Sequence, residues 1–569
     1  MKRDDLLALD EAKLAELATR GHVKRAVKDL AAGRGPALTV EADGTVVAVS
    51  DFATVRLEPG QALRDTPCTC PAPKVCAHRV MAVLAYREAH GGEEKAAPPE
   101  GPSPAAFEDE ALEAWVGRTA WRRASDRRRK GYVATVVRGE TPSVELAPCT
   151  VRFLVAGELG YARCDCRVGV KCEHLPLAVW AFREADGRHP DAASATVELG
   201  AGGAFESAPL QAAMELAREL LLDGAVGAGA AIAARFARAR KPLEDARLLW
   251  PRTLCEDLEE VLASYAGRAA TYHPERVGEL LTELHARARA ASRESAIPSR
   301  AILGMDEADE TALEHLRLVG LGCRLRVDGE GEDQRVDADV FLADPDTGGV
   351  LVLRAGWKAI AEVGPAVARR HVATGIPLGT LARGQVVTQV AKRRANQELR
   401  LGSSRRGLAR TSVTPQRGAW GTLAAPLFVD DYGALSDALR DAPPRCLRPR
   451  LLADRVRVLA VHEITDVGYD PATQILAATL HDGRGGEVRS MLAHSRAAPQ
   501  ALDALAEALA GPVGFLSGEA WREGDRVCFA PIAVVTDRVI AIDIEAPASE
   551  ASLPSRPGGP THDAVHERL

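Results

Sequence analysis

Residues Cys68–His78 read CTCPAPKVCAH, and residues Cys164–His174 read CDCRVGVKCEH. Both obey one rule, C-x-C-x5-C-x-H. The chain has 11 cysteines, and six of them lie in these two stretches. Three thiols and an imidazole form a donor set that zinc takes in closed tetrahedral sites. The sulfurs of C-x-C leave a bend or strand end and can converge on one ion, while C-x-H supplies the other half from the next segment. Pro176 stands two residues after His174. Proline has no N–H and suits a helix's first turn, so a helix is expected to open near His174. The positive end of that helix disfavours imidazolium and leaves the ring neutral for coordination.

The reading is therefore two Zn(2+) ions per chain. One is held by Cys68, Cys70, Cys76 and His78, the other by Cys164, Cys166, Cys172 and His174. With all four positions filled by protein, none is open for water or substrate, so the ions are expected to be structural. Lys74 and Arg79 flank the first set, and Arg163, Arg167 and Lys171 flank the second. They are expected to offset the thiolate charge and hydrogen-bond the sulfurs. The competing readings are disulfides, buried thiols and a redox switch. A C-x-C bridge is strained, and a reducing compartment disfavours disulfides. The remaining cysteines, Cys149, Cys255, Cys323, Cys446 and Cys528, stand singly and read as small buried hydrophobes.

Working outward, each cluster sits in a longer repeat. HRVMAVLAYREAHG follows the first and HLPLAVWAFREADG the second. Upstream lie GHVKRAVKDLAAG, ALTVEADGTVVAV and ATVRLEPG in one copy. The other copy has AWRRASDRRRKG, YVATVVRG, PSVELA and TVRFLVAG. Val/Thr-rich alternation bounded by Gly and Pro reads as short strands, and Val80, Val83 and Leu84 fall at helical spacing. Two copies make a duplication rather than a solenoid.

The C-x-C-x(n)-C-x-H pattern, with strands before it and a helix after it, resembles the SWIM zinc finger. The resemblance covers roughly residues 15–90 and 112–186. It implies DNA or protein binding, and association with AAA+ or SWI2/SNF2-type ATPases.

The expected fold class is α+β and multidomain, with two zinc-stabilised ββα-like modules, a helical middle and a β-rich mixed C-terminal half. The expected divisions are module 1 over 1–91, a flexible Pro/Glu/Ala-rich linker over 92–111 and module 2 over 112–187. A helical domain follows over 205–300, then a β-rich region over 305–545, with division into two subdomains as the alternative to one, and a disordered tail over 546–569. In the β-rich region, residues 335–357, 473–492 and 515–535 each read as a hairpin.

Lys+Arg number 72 against 79 Asp+Glu, a formal net charge of −7. Attraction to nucleic acid must therefore come from a local patch. The densest is Trp121, Arg122, Arg123, Arg127, Arg128, Arg129 and Lys130, ending beside Tyr132. Basic residues beside aromatics suit phosphate contacts and base stacking. The N-terminus lacks an uninterrupted apolar stretch and no run is long enough to span a membrane, so a cytoplasmic protein is expected. No Walker A, H-E-x-x-H or G-x-S-x-G motif occurs. The expectation is a non-catalytic binding protein that contacts DNA, another nucleic acid or a protein partner such as an ATPase. An enzyme whose site lies within 300–545 is the alternative.

Overall fold

The structure is a computed structural model. It describes residues 2–18, 20–72, 75–90, 102–139, 141–147, 149–166, 168–200, 206–227, 232–269, 272–293, 297–305, 307–313, 316–345, 347–373, 375–402, 411–416, 420–547 and 553–554. The chain forms two compact units, Met1–Ala204 and Phe205–Leu569. Among the described residues no helix is long and apolar enough to cross a membrane.

In the first unit, helices α1 Asp4–Leu7, α2 Glu11–Leu17 and α3 Arg20–Ala31 come first. The Asp10 side chain starts α2 by accepting from the Lys13 N–H, which satisfies a backbone donor that the helix cannot. Strands β1 Ala37–Val40, β2 Val46–Val49 and β3 Thr54–Leu57 form an antiparallel sheet, and helix α4 Ala77–His90 follows. Val46 and Ala48 alternate inward on β2, Val55 and Leu57 on β3. They share a core with Val80 and Val83 of α4, as the 2.0 and 3.6 periods require.

Helices α5 Asp109–Val116 and α6 Arg118–Lys130 open the second module. Then come β4 Tyr132–Val137, β5 Ser143–Leu146, β6 Cys149–Phe153, β7 Ala162–Cys164, α7 His174–Arg188 and β8 Ser194–Leu199. The sheet order is β7-β6-β5-β4-β8. The ββα-like expectation is therefore corrected: one module has three strands and the other five. The fifth, β8, lies past the expected module limit at 187. It pairs antiparallel with β4 from Ser194↔Val137 to Leu199↔Tyr132. Its burial alternates, with Ala195, Val197 and Leu199 facing inward. Gly200 ends it at φ +99°, where a Cβ would collide with the Arg128 carbonyl oxygen.

The linker expectation is also narrowed. Residues 91–101 lie outside the described residues, but Pro104–Ala106 forms a 3-10 turn and α5 opens at Asp109. Arg183 of α7 orders this stretch: its Nε donates to the Ala105 carbonyl at 3.1 Å and its Nη1 to Asp109 at 2.7 Å.

The second unit begins with helices α8 Gln211–Asp223, α9 Ile232–Asp245, α10 Leu249–Ala266, α11 Pro274–Ala291 and α12 Ser299–Leu303. Leu216, Leu220, Phe236, Leu243, Leu258 and Leu284 fill their common core. Strands β9 Glu310–Leu313, β10 Leu316–Asp328, β11 Arg335–Ala343 and β12 Val350–Lys358 follow. A two-stranded piece comes next, β13 His371–Ala373 with β14 Ile376–Pro377, then helix α13 Leu378–Ala382. Strands β15 Gly384–Thr388, β16 Ala391–Arg394, β17 Glu398–Leu401 and β18 Thr411–Pro415 complete an eight-stranded sheet, β18-β15-β10-β11-β12-β17-β16-β9.

After β19 Phe428–Val429 and helix α14 Tyr432–Asp441 come β20 Val456–Ala460, β21 Glu463–Asp470, β22 Ile475–His481 and β23 Glu487–Ala493. Helix α15 Ala501–Leu509 leads into β24 Phe515–Glu523, β25 Arg526–Val535 and β26 Val539–Ala541. The order is β19-β20-β24-β25-β23-β22-β21, with β26 on β25. The three expected hairpins are β11/β12, β22/β23 and β24/β25. The two sheets meet at Gly322, φ +100°, where a Cβ would lie 2.9 Å from both Ala533 and Ile532. Only glycine permits that approach. Beside it the buried Ser517 hydroxyl donates to the Leu321 carbonyl at 2.6 Å. In the expected tail, Leu553 packs on the last core, and the Tyr469 N–H donates to the Pro554 carbonyl at 2.7 Å. Residues 548–552 and 555–569 lie outside the described residues.

Candidate metal centres and basic face

The same local lock positions both clusters. Val55 bridges to Cys68 in an antiparallel register, and Val151 pairs with Cys164 in the same way. One residue on, the Thr69 N–H donates to the Thr54 carbonyl and the Asp165 N–H to the Thr150 carbonyl, each at 3.1 Å. Each side chain returns the bond: Thr69 Oγ1 accepts from the Thr54 N–H and Asp165 Oδ1 from the Thr150 N–H, both at 2.9 Å. A strand is thereby fixed against the start of each C-x-C. Helices α4 and α7 then deliver the histidines in their first turns, His78 as the second residue and His174 as the first.

The donors converge. Cys68, Cys70, Cys76 and His78 each place a ligand atom within 4.8 Å of all the others, and so do Cys164, Cys166, Cys172 and His174. Cys68 and Cys70 sulfurs are 3.4 Å apart, Cys76 and Cys68 sulfurs 3.7 Å. Cys164 Sγ is 3.6 Å from His174 Nδ1. A tetrahedron with zinc–sulfur bonds of about 2.3 Å has edges of about 3.8 Å, so the donors already stand near coordination spacing. His78 Nδ1 is buried without a hydrogen-bond partner, as expected of an atom meant for an ion. The sets fit a metal ion.

Electrostatics inside each cluster are divided. Burial pushes the Cys68 thiol up to about 12. Burial also opposes ionisation of Cys70, but the Ala72 N–H, His78 and the neighbouring thiols bring it down to about 6. His174 is raised to about 10: burial works against its charge, while Cys166 and Cys172 favour it. Of the flanking cations, Lys74 and Arg167 lie outside the described residues. Arg163 Nη1 donates to the Gly160 and Ala162 carbonyls, and Lys171 Nζ lies 4.6 Å above the Trp115 ring. Carbonyls engage Arg163 and a π-face engages Lys171. A backbone group also approaches a sulfur: the Cys166 N–H points to Cys164 Sγ at 3.5 Å.

Cys149, which reads as a filler, lies beside this site and outside its four-donor set. It is 1% exposed and groups with Cys164 and Asp165, their donor atoms lying within 4.8 Å of one another. The sequence carries a signal for it in the repeat: ATVRL in one copy is CTVRF in the other.

The basic stretch forms α6, bracketed by Gly117 and Gly131 at φ +82° and +84°. At 3.6 residues per turn, Arg118, Arg122, Arg123, Arg129 and Lys130 fall on one side, and all five are exposed. Trp121, Ala124 and Arg128 fall on the opposite side. The stacking role expected for Trp121 is corrected, because its ring packs edge-on against Trp180 in the module core. Tyr132 is 2% exposed and its hydroxyl donates to the Leu177 carbonyl. Arg127 is half-buried and Arg128 is exposed, with the Arg128 guanidinium 4.7 Å above Trp180. Arg123 pairs with Glu173 at 3.4 Å, and Arg129 with Asp126. Arg118 was missed because only its helical angle, not its place in sequence, joins it to the others.

In the second unit a cleft of about 1560 Å³ lies between the helices and the strands, lined among others by Arg252, Glu256, Asp257, Arg326, Asp339 and Arg450. Its charges are matched: Arg450 holds Asp257 at 2.7 Å and Arg326 holds Asp339 at 2.6 Å. Burial keeps the Glu256 carboxyl above its ordinary range, against Arg252 and Arg240.

The chain is 31% identical over 595 residues to "Protein YehQ" of Escherichia coli (strain K12), across 100% of this chain and 95% of that protein. The chain belongs to the YehQ family. The YehQ four-helical bundle domain matches residues 207–304, the region of α8–α12. The YehQ C-terminal OB-fold domain matches residues 453–562, the region of β20–β26.

Proposed function

We propose that this YehQ-family chain is a non-catalytic zinc protein whose two N-terminal modules are SWIM-type fingers, the second of which contacts nucleic acid through α6. The observation that carries the reading is the pairing of two convergent Cys3His clusters with one exposed basic helix side in an otherwise acidic chain. Zinc is the ion, because three thiolates and one imidazole in a tetrahedron suit it and no open position is left for catalysis. With both aromatics turned inward, the face offers guanidinium and ammonium groups to phosphates and no stacking platform, so binding is independent of sequence.

A second reading is supported by the bundle. Leu221 and Leu222 of α8 are 69% and 75% exposed, an apolar ridge suited to a protein partner such as an ATPase, which would make the chain an adaptor.

Elemental analysis of protein purified without added metal tests the first part, with two zinc ions per chain expected; zero or one overturns the two-site reading. Titration of labelled single- and double-stranded DNA and RNA across salt tests the second. Salt-dependent binding is expected. Absence of affinity at physiological salt favours the adaptor.

A further inference from the structure

We infer that Cys149 is the resolving thiol of an oxidation site in the second module: peroxide converts Cys149 and Cys164 to a disulfide and expels the metal ion from that module. The inference rests on the zinc reading of the Cys164, Cys166, Cys172 and His174 set.

Three observations carry it. The four-donor set leaves Cys149 unused. It is nonetheless within 4.8 Å of Cys164, on the adjacent strand β6, with both side chains on the face that carries Val151. The first module provides the contrast. Its strand β3 has the same register against Cys68, and Ala53 stands where β6 has Cys149. Ala53 is also buried, so a small apolar residue suffices for packing there. A thiol is the added chemistry. Cys166 is only half-buried and the adjoining Val168 is 65% exposed, which opens the cluster to a small oxidant from that side.

The chemistry balances with hydrogen peroxide as the named oxidant. The Cys164 thiolate attacks one peroxide oxygen. A sulfur–oxygen bond forms, the oxygen–oxygen bond breaks and hydroxide leaves, giving a sulfenic acid. The Cys149 sulfur then attacks the Cys164 sulfur. The sulfur–sulfur bond forms, the sulfur–oxygen bond breaks, and the sulfenic oxygen leaves as water with the Cys149 proton. Peroxide is reduced by two electrons and the thiol pair oxidised by two. The donor set has then lost Cys164, and three remaining groups hold zinc far more weakly.

The test treats the full-length protein with hydrogen peroxide and follows zinc with a chromogenic chelator and disulfides by non-reducing peptide mass spectrometry. Trypsin cleavage after Arg152, Arg163 and Arg167 puts Cys149 and Cys164 in separate peptides, so their linkage is read directly and fragmentation separates Cys164 from Cys166. The expected result is a Cys149–Cys164 linkage that rises in step with the loss of one zinc. Cys149→Ala is expected to keep its untreated zinc content and to release that zinc at least about fivefold more slowly. Cys149→Ser serves if the alanine variant fails to fold, and differential alkylation of the wild type needs no variant. A first disulfide between Cys164 and Cys166, or Cys166 and Cys172, with Cys149 still alkylatable, overturns the inference. Low zinc before treatment counts against the metal reading instead, because the same mapping on chelator-stripped protein reports the Cys149–Cys164 pairing without it.

Discussion

Trp121 packs edge-on against Trp180, with ring centroids 5.2 Å apart and planes at 65°. That contact fixes α6 to α7 and decides which of its side chains meet solvent. The tryptophan that opens the basic stretch is a structural anchor, and the charges on the far side are what a polyanion would meet.

Replacing Arg122, Arg129 and Lys130 together with alanine is therefore expected to lower the slope of log affinity against log salt by about two to three, since each phosphate contact contributes roughly 0.7–0.9. The loss should be similar for unrelated sequences. Trp121→Ala is expected to leave that slope unchanged while destabilising the module by roughly 2–3 kcal/mol, below the range for a fully buried tryptophan. Salt titrations and denaturant melts read the two effects separately. Equal slopes for triple variant and wild type rule this face out.

Cys172→Ser is expected to unfold the second module, because structural zinc contributes on the order of 10 kcal/mol to a small domain. New proteolytic cuts should appear between residues 112 and 199, a window that includes β8, since that strand pairs with β4. The unit from Phe205 onward should keep its protection. Unchanged cutting between 112 and 199 contradicts a metal-dependent module.

Asp109 accepts from Trp180 Nε1 at 3.0 Å and Arg183 Nη1 at 2.7 Å. Burial opposes its charge, but these two donors win and hold its carboxyl below the usual range. A depressed carboxyl contributes stability above its unfolded pKa of about 3.9 and loses it as pH falls through the lower folded value. Asp109→Asn should therefore be less stable than wild type near neutrality, and the gap should close on acidification below about pH 4. Thermal melts at several pH values check this; a gap constant across that range contradicts it.

Arg287 of α11 is fully buried. Its Nη1 donates to the Ile302 carbonyl and its Nη2 to the Arg448 carbonyl, each at 2.6 Å, while Glu283 takes its charge. Arg287→Ala leaves two carbonyls without their donor and removes one of the two arginines that pair with Glu283, which is expected to cost about 3–5 kcal/mol. Arg287→Lys should recover only part of this, because an ammonium cannot reproduce the planar fork. Chemical denaturation of the full chain measures both, and a loss under 1 kcal/mol for the alanine variant contradicts the latch.

The two donor sets, the helices that open at their histidines and the hairpins of the C-terminal half are legible in the amino-acid order alone. Each of these is set by neighbours within about a dozen residues: a C-x-C bend, a proline in a first turn, an alternation bounded by glycines. Tertiary structure decided the rest. SATVEL lies beyond the expected module limit at 187, yet β8 returns to β4, because an edge strand's partner can lie anywhere in the chain. Trp121 turned inward because Trp180 lies beneath it, and Arg118 joined the basic face because rotation about a helix axis groups residues that are apart in sequence. Cys149 stands alone in the sequence, yet β6 pairs with β7 and sets its sulfur beside Cys164. Such contacts depend on register between strands, which hydrogen bonds across the sheet fix and spacing along the chain does not.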